Sequence, residues 1–596
     1  MKIKCLIPKR HIIAAALLLI SVSGVPSLRA QAISIGKLDG WWRYTTLQGT
    51  LLKSAGQFQT VPAYLTDPAL SFPYQRRVNV STGQPYAKEM LFADGLYLVR
   101  PIGGWDPDAG GEAEDYRGDI SLADVWYRTP ANGLAYRWDR LFDRLDPVVW
   151  TYGYANLTLV LDNIPWSLPV PGTAAPGSLG QKTPAQYPYW LYLSSKQMCI
   201  ELTNRYGSNI VNQFRFRMGT EDNDEKRFSG TLTQYLQMYD WCARGVRESL
   251  PNAPFGPFNG AGDFFENDNV FPVARHCANG TNYATGDTGA PFAFAPTSLY
   301  FIPTLIGKTN IVGASPLDAA KARKALWDAI THNSPGLSPW KKEIHEFGVL
   351  GSEVPKAGSA KETVFTWEPG ARGAAQRFHT LVYLLQYGCR RIQHWNVDVS
   401  ECLSNGTSSI EMLTGLGWLY SIFDHFRGSN VPIYRPAVFN SSINGTEFVS
   451  MVALPSNKVV VLVSAYNQWR NRHRTHQVTV LLPKNWFAGT NGQIAKLDRN
   501  TAFHDVVRAD LSAANLLYTD YQNNPDVIAH VCFMAGARGD TYVMSNLRRY
   551  EGLIQNSLTL RPLTAADGSL TDYDATRYVL TLPNLPTPSV WAIVFQ

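Results

Sequence analysis

Two glutamates stand where strand-like runs of the sequence end. In "FRFRMGTEDND" (214–224) apolar and basic residues alternate, so that Phe214 and Phe216 point one way and Arg215 and Arg217 the other. The chain then turns at Gly219 and presents Thr220 and Glu221, with Asp222 and Asp224 as neighbouring carboxylates. About 125 residues later "KKEIHEFGVLGSE" closes another short strand on Glu346, with Glu343 early in that strand and Glu353 well past it as the competing acids. If both strands belong to one parallel α/β sheet, their C-terminal ends converge on one mouth. Two carboxyl groups facing each other there suit glycosidic bond cleavage, in which one protonates the leaving oxygen and the other attacks the anomeric carbon or activates water. A pair of glutamates alone is weak evidence, because a rim of loops carries several acids.

The elements that must position this pair are legible in the periodicity. "GLYLVRP" (95–101), "LTLVLDNIP" (157–165), "FRFRM" (214–218), "TSLYFIP" (297–303), "KEIHEFG" (342–348) and "RRIQHWN" (390–396) read as strands. Between them "TLTQYLQMYDWCARGVRESL" (231–250), "LDAAKARKALWDAITHN" (317–333) and "AAQRFHTLVYLLQYG" (374–388) carry apolar residues at helical spacing. Alternation of this kind over residues 89–430 predicts a (β/α)8 TIM barrel. After residue 431 the character changes. "KVVVLVSAYN" (458–467), "HQVTVLLP" (476–483) and "RYVLTLPNLPTPSVWAIVF" (577–595) are short strands between turn residues, which predicts a β-sandwich over 431–596. Residues 33–88 are ambiguous and are expected to add strands to that module.

The N-terminus begins with Lys2, Lys4, Lys9 and Arg10, continues through an apolar stretch from Ile12 to Val22 and reaches Ala30-Gln31-Ala32. That pattern predicts a signal peptide over 1–32 and a secreted or periplasmic protein with no membrane span after its removal. The remaining cysteines are scattered without a C-x-x-C pair, so neither a metal site nor a cofactor is expected; one disulfide, Cys389 with Cys402, is allowed but not required. A net charge of +6 over 596 residues, with no basic run interleaved with aromatics, argues against nucleic acid. Aromatic residues make up 12% of the chain, and rings of this kind either fill cores or stack on sugars.

At these residues the chain resembles glycoside hydrolase family 39, a family of clan A retaining barrel enzymes that includes β-xylosidases and α-L-iduronidases. "LTLVLDNIPWSLP" is similar to the family's third strand. "CIELTNRYGSNIVNQFRFRMGTED" is similar to the following helix and the fourth strand with its acid/base, "HCANGTNYATGDTGAPFAFAPTSLYF" to the segment entering the sixth strand, and "EIHEFG" to the seventh strand with its nucleophile. The resemblance implies that Glu221 is the acid/base and Glu346 the nucleophile of a double displacement. It implies an exo-type enzyme whose partner is a carbohydrate substrate. Thr220 stands where the family has Asn, and Tyr300 where many relatives have His. Candidate sugar contacts are Thr220, His276, Asn282, Tyr283, Tyr300, His394, Trp395, Arg100 and Trp105. A barrel that binds carbohydrate without turnover, or a transglycosidase, fits the same residues.

Overall fold

The computed structural model describes four short strands between residues 31 and 99 and most of the chain from Val125 to the C-terminus. Segments 162–184, 224–227, 261–269, 350–369, 396–399, 424–432 and 517–540 are the main ones outside the described residues. Eight strands form one sheet: β1 (Gly49–Leu51), β2 (Leu96–Val99), β3 (Thr158–Leu161), β4 (Arg215–Met218), β5 (Phe255–Gly256), β6 (Phe294–Phe301), β7 (Lys341–Val349) and β8 (Cys389–Trp395). Their order is β6-β7-β8-β1-β2-β3-β4-β5, and each neighbouring pair is parallel. A further isolated parallel bridge pairs Gly260, four residues past β5, with Thr297 of β6, so the chain beyond one edge strand meets the other edge strand.

From β2 onward strands and helices alternate: α1 (Trp138–Asp146), α2 (Pro188–Tyr206), α3 (Leu232–Ser249), α4 (Phe271–Asn279), α5 (Pro316–Asn333), α6 (Ala371–Gln386) and, after β8, α7 (Gly415–Phe423). The starts of these helices follow from local chemistry. Thr231 and Gln234 form a reciprocal capping box ahead of α3, and the Ser315 hydroxyl accepts the Asp318 N–H ahead of α5, with Pro316 at the first helical position. The strand run 95–101, expected to open the sheet, is second in it: the three-residue β1 lies between β8 and β2. Neither β1 nor the two-residue β5 is long enough to show a period.

The alternation in 214–218 resolves as its spacing predicts. Phe214, Phe216 and Met218 face the helices and join the main apolar core. Arg215 and Arg217 face the interior of the sheet, where they meet Glu343 and His345 of β7. Gly256 is needed at the same level, because a Cβ there would lie 2.4 Å from the ring of Phe294.

The C-terminal region holds two sheets. One runs Ile35–Lys37, Ile433–Pro436, Thr446–Ala453, Val459–Asn467, Ser589–Phe595, Gly492–Asp498 and Arg561–Pro562; the other runs Gln31–Ile33, Thr475–Pro483, Arg577–Pro586 and Ser569–Asp572. Gln31 and Ala32, which signal cleavage after Ala32 would remove, pair with Val478 and Thr479. A separate apolar core that includes Val461, Val463, Val480, Leu582 and Ile593 lies between these sheets. Two helices, Phe503–Ala513 and Leu547–Leu558, interrupt a region whose sequence shows little helical period. Every residue of Val459–Asn467 is buried, because its two faces serve different cores. Val461 and Val463 face the second sheet, while Val460 and Leu462 face α6 in the main core.

Helix α6 is itself buried from Ala371 to Leu385 and has no solvent face. Its polar side chains are met at the junction: the Ser464 hydroxyl, itself donated to the Ser589 carbonyl, accepts from His379 Nε2 at 3.0 Å, and Tyr383 donates to Glu447 at 3.2 Å. Cys389 is a free buried thiol that donates to the Arg391 carbonyl, so the allowed Cys389–Cys402 disulfide is not formed. Because α6 is shared by both halves, they should unfold together. Leu462→Ala should cost about 2–5 kcal/mol, read as a lower urea midpoint in a single transition followed by both tryptophan fluorescence and circular dichroism. Two separated transitions would contradict the shared core.

Candidate active site

β4 ends at Met218, and the chain reverses immediately. Gly219 adopts φ +84° and donates to the Leu161 carbonyl; a side chain there would collide with the Asp222 carboxylate at 1.9 Å. Asp222 is occupied in this turn, accepting the Thr220 N–H at 3.2 Å. The turn delivers Glu221 in a left-handed conformation, φ +53°, which costs a residue with a Cβ about 1–2 kcal/mol. That strained backbone is held from the chain just past β5 and from β6. The Glu221 N–H donates to the Asn259 carbonyl at 3.1 Å, and Ser298 donates its hydroxyl to Glu221 Oε1 at 2.6 Å. Asn259 completes the arrangement by donating Nδ2 to the Ser298 hydroxyl at 2.7 Å.

Glu346 arrives from β7 and is 3% exposed. Its register partner on β6 is Ser298, and its Oε2 accepts the Tyr300 hydroxyl at 2.7 Å. Ser298 and Tyr300 are two residues apart on one strand, so their side chains leave the same face about 7 Å apart along the chain. One of them holds Glu221 and the other holds Glu346. This places both carboxyl groups over one face of β6, near the C-terminal ends of the strands.

Beneath them runs a polar relay through the interior. Arg215 grips Glu343 with two bonds, of 2.8 and 3.0 Å. His345 bonds Glu343 Oε2 through Nε2 at 2.7 Å and faces Arg217 through Nδ1 at 3.2 Å, and Arg217 Nη2 donates to the Thr220 hydroxyl at 2.7 Å. Burial alone would raise Glu343, but the charges of Arg215 and Arg391 and the bond from His345 hold it down at about 2. Burial lowers His345 to about 3, against the pull of Glu343, so its ring is neutral. A neutral ring with its proton on Nε2 donates to the Glu343 carboxylate and accepts from Arg217 at Nδ1, which matches both contacts. Glu343, the competing acid of its strand, is therefore engaged within this relay.

Thr220, Glu221, Tyr300 and Glu346 are thus brought together. His394 and Trp395 lie at the C-terminal end of β8, with His394 in register with Phe347 and Thr50 and Trp395 with Leu51. Their side chains, like Arg100 and Trp105 as a whole, fall outside the described residues. His276, Asn282 and Tyr283 are not brought to the carboxylates. They lie where α4 ends and the chain returns to the start of β6, at the opposite end of the strands. There the Asp240 carboxylate bonds the His276 ring at 2.9 Å and the Tyr283 N–H at 2.7 Å, and the Asn282 side chain accepts the N–H groups of Ala284 and Thr285. The polar, Gly-containing composition of this stretch signals a turn, and the direction of the chain decides which end it occupies. Ser298 and Asn259 escaped the sequence reading. Ser298 was recoverable from its alternation with Tyr300, whereas Asn259 sits in an irregular stretch with no period.

No group of three His, Cys, Asp or Glu able to hold a metal ion gathers among the described residues, and no helix among them is long and apolar enough to cross a membrane. No family model matches the chain. In sequence it is 30% identical over 150 residues to α-L-iduronidase of Canis lupus familiaris, and 34% over 91 residues to that of Mus musculus. These stretches cover 23% and 14% of this chain, and only 22% and 14% of the relatives' length. In structure it is similar to a bacterial orthologue of human α-L-iduronidase, with a TM-score of 0.60 and 13% identity over 95% of this chain and 84% of that one. It is also similar to a monomeric β-xylosidase from Caulobacter crescentus CB15, with a TM-score of 0.57 and 12% identity over 95% and 99% of the two chains. A family 39 enzyme from Xanthomonas axonopodis pv. citri gives 0.56 and 13% over 96% and 99%. The resemblance to family 39 is therefore met again in curated relatives and in the fold.

The relay gives a pH dependence. Glu343 is lowered in the fold, so its stabilisation is present above the unfolded value near 4.5 and is lost as the pH falls toward about 2. His345 is also lowered, so the unfolded chain takes up more protons below about 6.5, and stability falls as the pH drops from there toward about 3. Both act in the same direction: the melting temperature should fall on acidification from pH 7 to pH 4. His345→Gln keeps a donor and an acceptor without the titration and should flatten that slope. An unchanged slope would remove His345 from the account.

Proposed function

We propose, from a fold shared with family 39 glycoside hydrolases, that this chain is a secreted retaining glycosidase of exo type, acting on a (β/α)8 barrel with an accessory β-sandwich. The observation that carries this reading is β6 itself, which holds Glu221 through Ser298 and Glu346 through Tyr300 on a single face. In the first step the Glu346 carboxylate attacks the anomeric carbon and the bond to the leaving oxygen breaks, while Glu221 gives that oxygen its proton. In the second, a water oxygen attacks the same carbon, its proton passes to Glu221, and Glu346 leaves as a carboxylate. Tyr300 fixes one oxygen of the nucleophile by donating its hydroxyl to it. Thr220, fixed by Arg217, is offered as the contact to the sugar hydroxyl beside the reacting carbon, and Trp395 and His394 as contacts at the end of β8.

The test uses a panel of aryl glycosides, with turnover expected for at least one sugar. Glu346→Ala should lose turnover on every substrate, and added azide should restore it as a glycosyl azide of inverted configuration. Glu221→Ala should keep glycosyl-enzyme formation on substrates with good leaving groups, and azide should then give a product of retained configuration. The acid is typically worth about 10²–10⁴-fold, so the loss in Glu221→Ala should grow as the leaving group worsens. An equal loss on activated and natural substrates would remove Glu221 as the acid, and a panel with no turnover would favour a carbohydrate binder.

Retention also sets a distance. A crystal structure should place the two carboxyl groups about 5–5.5 Å apart, and a separation beyond about 6.5 Å would indicate inversion.

A further inference from the structure

At the end of the strands remote from the glutamates lies a cleft of about 460 Å³, lined by Arg244, Arg247, Glu248, Asn282, Thr285 and Pro291 among others. It is formed by the last turns of α3 and by the return loop into β6. Arg247 stands sixteen residues beyond the Thr231 cap, which puts it about 24 Å along the helix axis from that cap, and the cap end of α3 is the end nearer to Met218, where β4 leads into Glu221. The cleft is therefore separate from the proposed catalytic mouth.

Its walls are fixed. Arg244 bonds Glu248 at 2.9 Å and the Ala284 carbonyl at 2.7 Å, and its guanidinium lies over the rings of Tyr192 and Trp241. Tyr192 and Lys196 also bond Glu248, and together these three partners hold its carboxyl at about 2. Beside this lining, on the loop between Asn282 and Ala284, Tyr283 stacks on the His276 ring, with centroids 5.6 Å apart and planes 14° apart. Asp240 secures both members of that stack. Tyr283 is nonetheless 42% exposed, and Tyr189, in edge contact with Trp241, is 48% exposed. An aromatic ring braced from behind and open in front, beside fixed arginines and hydroxyls, presents an apolar face and hydrogen-bond donors together. That pairing matches a pyranose, whose ring has an apolar C–H face and an equatorial rim of oxygens.

We propose that this cleft, together with the exposed Tyr283 ring at its edge, is a second, non-catalytic saccharide site, in which Tyr283 stacks on a sugar ring and Arg247 and Thr285 bond its oxygens. It would hold a polysaccharide to the protein while the opposite end of the barrel works on a chain terminus. The proposal rests on the carbohydrate reading above, but its test does not require turnover. Affinity electrophoresis through gels containing xylan or polygalacturonate compares a largely neutral chain with an acidic one. The full-length protein should be retarded by at least one of them, as should Glu346→Ala. Tyr283→Ala should weaken that retardation by about tenfold, Arg247→Ala should weaken it further in the acidic gel, and Tyr283→Phe should keep it. All three cleft variants should hydrolyse a small aryl glycoside like the parent. Migration of the parent unretarded in both gels, or of Tyr283→Ala identically to the parent, overturns the second site. Retardation of a parent that turns over no aryl glycoside would instead count against the proposed enzyme and leave the second site standing.

Discussion

The buried pair of Arg215 and Glu343 constrains the rest of the sheet interior. A closed parallel sheet usually fills its inside with branched apolar side chains. Here β4 and β7 instead send two arginines, a glutamate and a histidine across it, at 3% exposure or less. A charge so placed is tolerated only when its partners are complete, because removing one leaves the other uncompensated, at a cost of about 3–5 kcal/mol. The pair therefore fixes the register of β4 against β7 across the interior. Those are the two strands that carry the candidate acid and nucleophile. From Glu343 the constraint passes through the neutral His345 to Arg217 and then to Thr220, the residue before Glu221. Stability of the interior and placement of the reacting groups are one hydrogen-bonded system.

Strand β6 plays a complementary part from the other side. It contributes no carboxylate, yet Ser298 and Tyr300 touch both. The Arg323 side chain of α5 in turn donates to the Ser298 carbonyl at 2.6 Å, which ties the strand to the helix that follows it. Groups held this way on a strand are positioned more rigidly than groups on loops alone. At the junction of the two halves, His379 lies between Ser464 and Glu447, the residue types of a hydrolytic triad. His379 and Ser464 are fully buried, and the Ser464 hydroxyl is spent on the Ser589 carbonyl, so the cluster joins the halves and has no substrate to reach.

Long periodic segments were legible in the sequence, and short or shared ones were not. The runs at 214–218, 342–348 and 458–467 became strands at nearly those positions, and 231–250 and 317–333 became helices, because each carries enough apolar residues to express a period. β1 and β5 have three and two residues, too few for alternation, and their pairing is set by neighbours distant in sequence. The helices at 503–513 and 547–558 were hidden because the surrounding strands dominate the composition. In the site, the sequence singled out Glu221 and Glu346 from strand-like runs, and the structure puts the first just past β4 and the second three residues before the end of β7. The supports were less legible, since the contribution of Ser298 depends on a pairing between β6 and β7 that only folding creates. His276, Asn282 and Tyr283 show the converse. Their composition suits sugar contact, but residue types alone do not say at which end of a strand a loop emerges.

Glu221 occupies a left-handed backbone conformation, φ +53°, that glycine adopts without strain. A drift to glycine at this position would relieve the turn, and its fold would be selected for on stability alone. If Glu221 is the acid proposed above, this is a position where activity and stability are in opposition. In any set of relatives in which catalysis has been abandoned, this is the residue whose loss the fold would reward, and so it is among the first places where a retired enzyme would differ from a working one.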